Sequence, residues 1–131
     1  MKYLVDSDFL FGLVVINDPH HRVCKKVFSS LKKDDVELLV LNLVLQETAT
    51  VISKKRSQKE SLKFLGLFRK LPTQIVYLDL EIEKTSWGIF ESQTKKGTSF
   101  VDCVNLAVME KYKLDGILSF DEFYPKKLLI R

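Results

Sequence analysis

Short apolar stretches alternate along this chain with longer stretches whose apolar residues recur at helical spacing, and this alternation constrains the fold most. Strands are predicted at residues 3–5, 36–41, 74–78, 116–119 and, as a short edge strand, 127–130. Strands that are separated by helical crossovers run parallel and carry helices on both faces. The sequence therefore predicts an α/β fold, a three-layer α/β/α sandwich around a mostly parallel sheet of four to five strands.

Pairs of helices are predicted between the first four strands, and polar residues mark where most of them begin. The predicted helices cover residues 9–16, 20–32, 42–56, 57–71, 79–96 and 99–112. N-cap candidates, whose side-chain oxygens can accept a free backbone N–H of the first turn, are Ser7, Asn42, Ser57, Asp79 and Ser99. Ser57 and Glu60 have the spacing of a capping box.

The composition is that of a single globular domain. The chain has 131 residues, 46% of them hydrophobic and 29% charged, which suits an ordered protein with one core. It begins without the pattern of a signal peptide, and its longest apolar run is too short to span a bilayer. Cys24 and Cys103 belong to no metal or redox motif, which favours a cytoplasmic protein with two buried thiols. The net charge of +4 permits a polyanionic partner without requiring one.

Two aspartates directly follow predicted strands. Asp6 ends the first strand, and Asp121 comes after the fourth in the segment Ser119-Phe120-Asp121. Open α/β sheets bind their ligands outside the carboxyl ends of the strands. We therefore expect both carboxylates at the edge of the sheet where a ligand would bind.

Two more acidic residues stand on apolar helix faces. Glu47 has Leu43 and Val51 four positions away on the same face, so it is expected to face inward or toward a cleft. Asp102 opens a helix that is apolar nearly all round, which predicts a partly buried carboxylate. An isolated buried charge is costly, and the Lys and Arg residues lie mostly in exposed clusters. A hard divalent cation such as Mg²⁺ or Mn²⁺ would compensate these charges.

Each carboxylate also has a purely structural interpretation. Asp102 is three residues after Ser99 and could be the acidic member of a capping box. Asp121 could be a turn or cap aspartate, and Asp6 could cap the end of its strand. Glu47 has no obvious cationic partner on its face, and the combination of the four residues favours a metal site.

Four short segments carry these carboxylates in a characteristic order. They are Val5-Asp6-Ser7-Asp8, Gln46-Glu47-Thr48, Ser99-Phe100-Val101-Asp102-Cys103 and Ser119-Phe120-Asp121-Glu122-Phe123. In order and spacing the segments resemble the motifs of PIN domains, most closely those of the small toxin ribonucleases of the VapC type. The resemblance covers essentially the whole chain and implies a single PIN-like nuclease domain over residues 1–131. The chain departs from the family pattern at Asp8, where a small or polar residue is usual, and at Asn105, where an apolar residue is common.

The resemblance implies a metal-dependent endoribonuclease. Its catalytic and metal-binding residues would be Asp6, Glu47, Asp102 and Asp121, which would hold Mg²⁺ or Mn²⁺ directly or through water. Residues that could orient these ligands or contact the scissile phosphate are Ser7, Asp8, Ser99, Asn105 and Ser119. The implied partners are an RNA substrate, a cognate antitoxin that covers the acidic pocket, and a second copy of the chain in a homodimer, with no membrane involved.

Two other functions stay open on the sequence alone. The segment Asp6-Ser7-Asp8 is also the Asp-x-Asp pattern of haloacid-dehalogenase-type phosphatases, in which Asp6 would be the nucleophile and Asp8 the general acid. Against it, Leu10 stands where that family usually has a hydroxyl residue. The same fold could also serve as a non-catalytic module that binds RNA or protein.

The basic residues and the histidines are interpreted separately from the acidic cluster. Basic side chains gather at residues 54–56, with Lys59 and Lys63 nearby, and at residues 95–96. They could bind phosphates beside the site, although lysines are common on any solvated surface. His20 and His21 are interpreted as surface residues away from the acidic side.

Overall fold

Five strands form a single sheet in which every pair is parallel. The computed structural model describes residues 1–130, and the strands within them are β1 (Lys2–Val5), β2 (Glu37–Leu41), β3 (Thr73–Val76), β4 (Gly116–Leu118) and β5 (Leu129–Ile130). Their order across the sheet is β3-β2-β1-β4-β5. The predicted α/β fold with a parallel sheet is confirmed.

Six α-helices connect the first four strands in pairs. They are α1 (Ser7–Val14), α2 (His21–Lys33), α3 (Asn42–Lys55), α4 (Gln58–Phe68), α5 (Leu80–Glu91) and α6 (Phe100–Lys111). A 3₁₀ turn at Lys126–Leu128 precedes β5. Within residues 1–130, no helix is both long enough and apolar enough to cross a membrane.

The connections place the helices in two layers. α1 contacts α2 and α3, and α3 contacts α4, while α5 packs against α6. The crossovers from β1 to β2 and from β2 to β3 move in one direction across the sheet, and the crossover from β3 to β4 moves back past β1. Because such crossovers are right-handed, the returning pair of helices lies on the opposite face. The carboxyl ends of β1 and β4 are therefore the topological switch point, where open α/β sheets bind ligands.

The central strands are buried on both faces, as their apolar sequences predict. Leu4 in β1, Val40 in β2 and Ile117 in β4 have no exposed surface, and neither has Val108 of α6. Because helices cover both faces of β1, the first side chain beyond this strand, Asp6, also lies in a buried environment.

Three predicted caps differ from what the structure shows. α1 begins at Ser7 rather than after it, because the Asp6 carboxylate accepts the Ser7 N–H at 2.8 Å and is itself the N-cap. Asn42 is the first residue of α3, and its side-chain oxygen instead accepts the backbone N–H of Leu78 at 3.0 Å. Ser99 occupies the N-cap position of α6, but its side chain makes no capping hydrogen bond.

The other predicted boundaries agree with the structure to within three residues, with one exception. The caps at Ser57 and Asp79 are confirmed, since each side chain accepts a backbone N–H of the first turn. α5 ends five residues earlier than predicted. The Ser92 hydroxyl and the Gln93 side-chain amide both donate to the carbonyl of Ile89, at 2.7 and 3.1 Å, and so compete with the backbone for the acceptor that would continue the helix.

α1 and α2 approach closely at Gly12. A Cβ at this position would lie 2.8 Å from Cys24 Sγ and 3.2 Å from Asp18 Oδ2. Cys24 is fully buried, so its sulfur has no solvent to turn toward. The carbonyl of Gly12 also accepts a hydrogen bond from His21 Nδ1 at 2.8 Å. The absent side chain therefore lets the loop between the two helices lie directly on α1.

Replacing this glycine should destabilise the protein. We expect Gly12→Ala to lower the free energy of unfolding by about 1–3 kcal/mol, because the new methyl group overpacks the contact with Cys24. Urea unfolding measures the change. Gly66→Ala in α4 is the matched control, because nothing lies within 4 Å of its Cβ, and it should be neutral or stabilising by up to about 1 kcal/mol. Equal effects of the two substitutions would contradict the close approach.

Candidate metal centre

Asp6 is the central residue of the candidate site, at the carboxyl end of β1. Its side chain is only 4% exposed. Ser119, the first residue after β4, donates its hydroxyl to Asp6 Oδ2 at 2.8 Å, and Asn105 Nδ2 donates to Oδ1 at 3.3 Å. The Ser7 N–H donates to Oδ1 as well. These three donors are neutral, so they orient the carboxylate without cancelling its charge.

A chain of hydrogen bonds joins Asp6 to Asp102. Asn105 Nδ2, which binds Asp6, also donates to the Tyr124 hydroxyl at 3.0 Å, and that hydroxyl donates to Asp102 Oδ1 at 3.1 Å. Asn105 and Tyr124 are both almost completely buried. Asp102 and Asn105 lie one turn apart on α6, while Tyr124 belongs to the loop after β4. The helix α6 and the loop after β4 thus together hold Asp6 and Asp102 at the same edge of the sheet.

Asp8 is attached to the chain that follows β4. Its Oδ2 accepts the backbone N–H of Phe120 at 2.9 Å and lies 3.4 Å from the Ser119 hydroxyl. Its Oδ1 is buried and has no hydrogen-bond partner in the described part of the chain, and the same is true of Asn105 Oδ1. Two buried acceptor oxygens are therefore left for a cation or for water.

Glu47 and Asp121 are exposed members of the cluster. Glu47, on α3, lines a cavity of about 230 Å³ together with Asp8 and Lys55, so it faces a cleft rather than the core. Asp121 lies in the turn after β4, where its charge acts on both Asp8 and Asp102.

Burial and mutual repulsion raise the pKa of three carboxyl groups. Burial is the largest cause for Asp6, whose pKa rises to about 7, and the charges of Asp8 and Asp102 add to it. Burial, followed by the charges of Asp121 and Glu47, raises the pKa of Asp102 to about 6. The pKa of Asp8 is also raised, first by burial and then by Asp121. The repulsion between these clustered negative charges thus destabilises the folded state.

The donor set of this cluster fits a hard divalent cation. It consists of carboxylate and amide oxygens, which Mg²⁺ and Mn²⁺ prefer. Between residues 1 and 130, no three Cys, His, Asp or Glu side chains are grouped so that they would enclose an ion on their own. Mg²⁺ commonly takes only one or two carboxylates and completes its coordination with water and substrate phosphate, so an open arrangement suits it.

Ser99, which was singled out from the sequence, lies outside this hydrogen-bond network. Among the described residues, the Ser99 side chain forms no hydrogen bond with the carboxylates. The capping-box interpretation of Asp102 is also wrong, because the Asp102 carboxylate accepts the hydroxyl of Tyr124 instead. Asp6 and Asp121 do have cap and turn roles, since they accept the backbone N–H groups of Ser7 and Phe123.

The predicted position of His20 is partly wrong. His20 is exposed, but it lines the same cavity as Asp8 and Glu47. Its ring stacks on that of Phe120, with the ring centroids 3.9 Å apart. The helical pattern did not indicate this position, because the position depends on how the loop before α2 folds back over α1. His21 turns the other way, toward the carbonyl of Gly12.

Sequence reasoning missed Tyr124. The residue lies in an irregular loop, where no periodicity predicts burial. The available signal was Asn105, because an amide in the middle of an apolar helix needs buried partners. Nothing in the sequence indicates which residue supplies them.

The fold and the site together define an α/β protein that gathers carboxylates at the switch point of a parallel sheet, a site suited to a divalent cation. The sequence profile of the PIN domain matches residues 3–126, and the chain belongs to the PIN domain family. The resemblance seen in the four sequence segments is thereby confirmed.

Relatives of known structure share this fold over nearly their whole length. The chain is 24% identical over 117 residues to the 23S rRNA-specific endonuclease VapC20 of Mycobacterium tuberculosis. The aligned residues cover 89% of this chain and 87% of that protein. The crystal structure of Mycobacterium tuberculosis VapC20, a sarcin–ricin loop cleaving toxin, has a TM-score of 0.83 at 20% identity and covers 94% of this chain and 92% of that one. A toxin–antitoxin complex from Klebsiella pneumoniae has a TM-score of 0.67 at 14% identity, with 98% and 96% covered. VapBC2 from Rickettsia felis, bound to a DNA fragment from its promoter, has a TM-score of 0.75 at 12% identity, with 99% and 98% covered.

The metal-free protein should become less stable as the pH rises from mildly acidic to mildly basic. The pKa values of Asp6 and Asp102 are about 7 and about 6 in the folded state, against an ordinary value of 3.8. The folded state therefore binds more protons between these limits, so stability that is fully present below pH 3.8 is lost as the pH rises through 6 and 7. Urea unfolding in EDTA, at about pH 5.5 and about pH 8, measures the difference.

Asp6→Asn provides the internal test of this pH dependence. Removing the most deeply buried charge should raise the free energy of unfolding by about 1–3 kcal/mol at about pH 8 and should flatten its pH dependence. Asp34→Asn, at the exposed end of α2, is the matched control and should change neither. A wild-type protein that gains stability on going from mildly acidic to mildly basic pH would contradict the expectation.

Proposed function

We propose that this chain is a divalent-metal-dependent endoribonuclease that hydrolyses RNA phosphodiester bonds and acts as the toxin of a toxin–antitoxin pair. The observation that carries the proposal is the buried, like-charged carboxylate cluster around Asp6, at the switch point of a PIN-family fold. Such a cluster is costly until a cation binds to it. VapC20, a relative over most of the chain, is an endonuclease specific for 23S rRNA.

Four carboxylates would hold the cation. Asp6 and Asp102 are the most buried of the four and would bind it at the base of the site, with Glu47 and Asp121 joining from the exposed side, directly or through water. The bound Mg²⁺ or Mn²⁺ would lower the pKa of a water molecule and neutralise the charge that develops on the phosphate. The reaction then needs no protein nucleophile, and none of the serines or cysteines is required for that role.

Neutral donors around the cluster fix these ligands in advance. Ser119 and Asn105 orient Asp6, and Tyr124 orients Asp102. Burial, together with the charges of Asp6 and Asp102, raises the pKa of Tyr124, so its hydroxyl keeps the proton that it donates. Ligands that are already oriented lose little freedom when the ion binds.

Basic side chains line the acidic cavity and a second groove, and they offer contacts for the RNA backbone. Lys55 lines the same cavity as Glu47, and Arg56 and Lys63 line a groove of about 390 Å³ between the end of α1, α3 and α4. Once metal neutralises the carboxylates, the net charge of the chain exceeds the formal +4. Positive side chains of this kind bind phosphates without regard to base sequence.

The role as a toxin is supported by VapC20, which is described as a sarcin–ricin loop cleaving toxin, and by a structural neighbour from Klebsiella pneumoniae that is a toxin–antitoxin complex. We propose that a cognate antitoxin covers the acidic cavity and inserts a basic side chain toward the carboxylates, and that two copies of the chain form a homodimer. Cys24 and Cys103 are both free and buried, which suits the cytoplasm as the site of action.

Membership of the PIN family sets aside the haloacid-dehalogenase alternative. Its nucleophile would be Asp6, yet both Asp6 oxygens accept hydrogen bonds and the side chain is buried. Its general acid would be Asp8, whose Oδ2 accepts the N–H of Phe120. The non-catalytic binding module is decided by the cleavage experiment below.

The purified protein should cleave RNA in Mn²⁺ and leave it intact in EDTA. Suitable substrates are 23S rRNA and a hairpin that contains the sarcin–ricin loop, because VapC20 acts on these RNAs. Asp6→Asn should lower the rate by more than about 100-fold, since it removes the most buried candidate ligand. Denaturing gels measure the products.

The control variant Asp34→Asn should cleave RNA like the wild type, because it makes the same chemical change at an exposed position that is distant in sequence from Asp6. Intact RNA under all metal conditions, together with no Mn²⁺ binding by calorimetry, would overturn the nuclease proposal and favour the non-catalytic module.

Tyr124→Phe should lower the cleavage rate by about 10-fold and weaken Mn²⁺ binding, because Asp102 loses the hydroxyl that orients it. Steady-state cleavage and calorimetric titration measure the two effects. The control is Tyr77→Phe, which removes a hydroxyl from a side chain that is 66% exposed. Identical behaviour of the two variants would show that Tyr124 does not position the site.

A further inference from the structure

Three aromatic rings are stacked from the core outward to the edge of the acidic cavity. Phe9, buried in α1, has its ring centroid 6.1 Å from that of Phe120, with an interplanar angle of 18°. Phe120 stacks in turn on His20, with the centroids 3.9 Å apart and an interplanar angle of 10°. His20 is exposed, so the stack ends in a flat ring at the surface.

The middle and the outermost ring of the stack are both attached to backbone that side-chain hydrogen bonds hold in place. The N–H of Phe120 donates to Asp8 Oδ2, which joins the middle ring to the carboxylate cluster. The N–H of His20 donates to Asp18 Oδ2 at 2.9 Å. The same loop lies on Gly12, where an added Cβ would come within 3.2 Å of Asp18 Oδ2 and 3.4 Å of His20 Cβ. A ring that is held in place before binding loses little entropy when a ligand stacks on it.

His20 shares a cavity with Glu47, one of the four carboxylates proposed to hold the metal. It lines the cavity of about 230 Å³ that also contains Asp8, Glu47 and Lys55. A lysine suits a phosphate, and a flat ring beside it suits a neighbouring base. Proteins that bind single-stranded RNA combine these two types of side chain, and stacking accepts any base because every base has a π face.

We propose that His20 is a base-stacking residue, whose ring carries an unpaired base of the RNA next to the scissile phosphate. The inference rests on the proposed function, because it takes RNA as the substrate. A side chain that only covers Phe120 needs to be apolar, whereas a stacking residue needs a flat ring. Leucine meets the first requirement and phenylalanine meets both, so the two substitutions separate the roles.

Binding of a single-stranded RNA of about eight nucleotides tests the proposal. 2-Aminopurine is placed at each position in turn, and fluorescence is measured with Ca²⁺ as the divalent ion. At one position, the wild type and His20→Phe should quench the probe, whereas His20→Leu and His20→Ala should not. The affinity of His20→Leu should be about tenfold lower than that of the wild type, the loss expected for one stacked base.

An abasic nucleotide at the quenched position completes the comparison. It should weaken binding by the wild type about tenfold and abolish the difference between the wild type and His20→Leu. Three outcomes would each overturn the proposal. The wild type and His20→Leu could bind intact RNA equally, the defect of His20→Leu could persist on abasic RNA, or the wild type could fail to bind RNA. Thermal unfolding verifies that the variants fold, and His20→Phe against His20→Ala repeats the test should the leucine variant unfold. Failure of the proposed nuclease function is distinguishable, because it appears as absent cleavage in Mn²⁺ while base-dependent quenching persists.

Discussion

The burial of Asp6 among other negative charges is the constraint on which the rest of the site depends. Its donors come from the residue after β4, from α6 and from the start of α1, so the carboxylate is held only where these three segments meet. That meeting point exists because the chain adds β2 and β3 on one side of β1 and then crosses back to add β4 on the other side. Neutral donors orient Asp6 and leave its charge, which a cation can then neutralise.

Several site residues have a structural role as well as a chemical one. Asp6 caps α1 while its oxygens face the cluster, and Asp121 accepts the N–H of Phe123 within its turn. The structural and the metal-binding interpretations of these residues are therefore compatible, although from sequence they look like alternatives. Asp8 shows the same duality, because one of its oxygens holds the Phe120 backbone and the other has no partner among residues 1–130.

The cavity beside Asp6 combines three kinds of side chain that suit different parts of a nucleic acid. Carboxylates suit a cation beside the phosphate, Lys55 suits a phosphate directly, and the exposed ring of His20 suits a base. The loop that carries His20 depends on Gly12, which lies outside the cavity yet determines where one of its walls stands. A residue that does not line the cavity thus shapes the surface that the substrate would meet.

The parallel α/β fold and the order of its elements follow from the sequence alone, and so does the choice of the four carboxylates as candidate ligands. These features are visible because strand and helix periodicity is local, and because a charge on an apolar helix face indicates a position at the core or at a cleft without reference to any partner. Three features become visible in the folded chain alone: which neutral groups hold those carboxylates, that the Ser99 side chain takes no part, and that His20 lines the acidic cavity. These features depend on contacts between residues that are distant in sequence, such as Asp8 and Phe120, which are 112 positions apart. A local pattern indicates that a side chain faces the core or a cleft, but the packing of the whole chain determines the neighbours of that side chain.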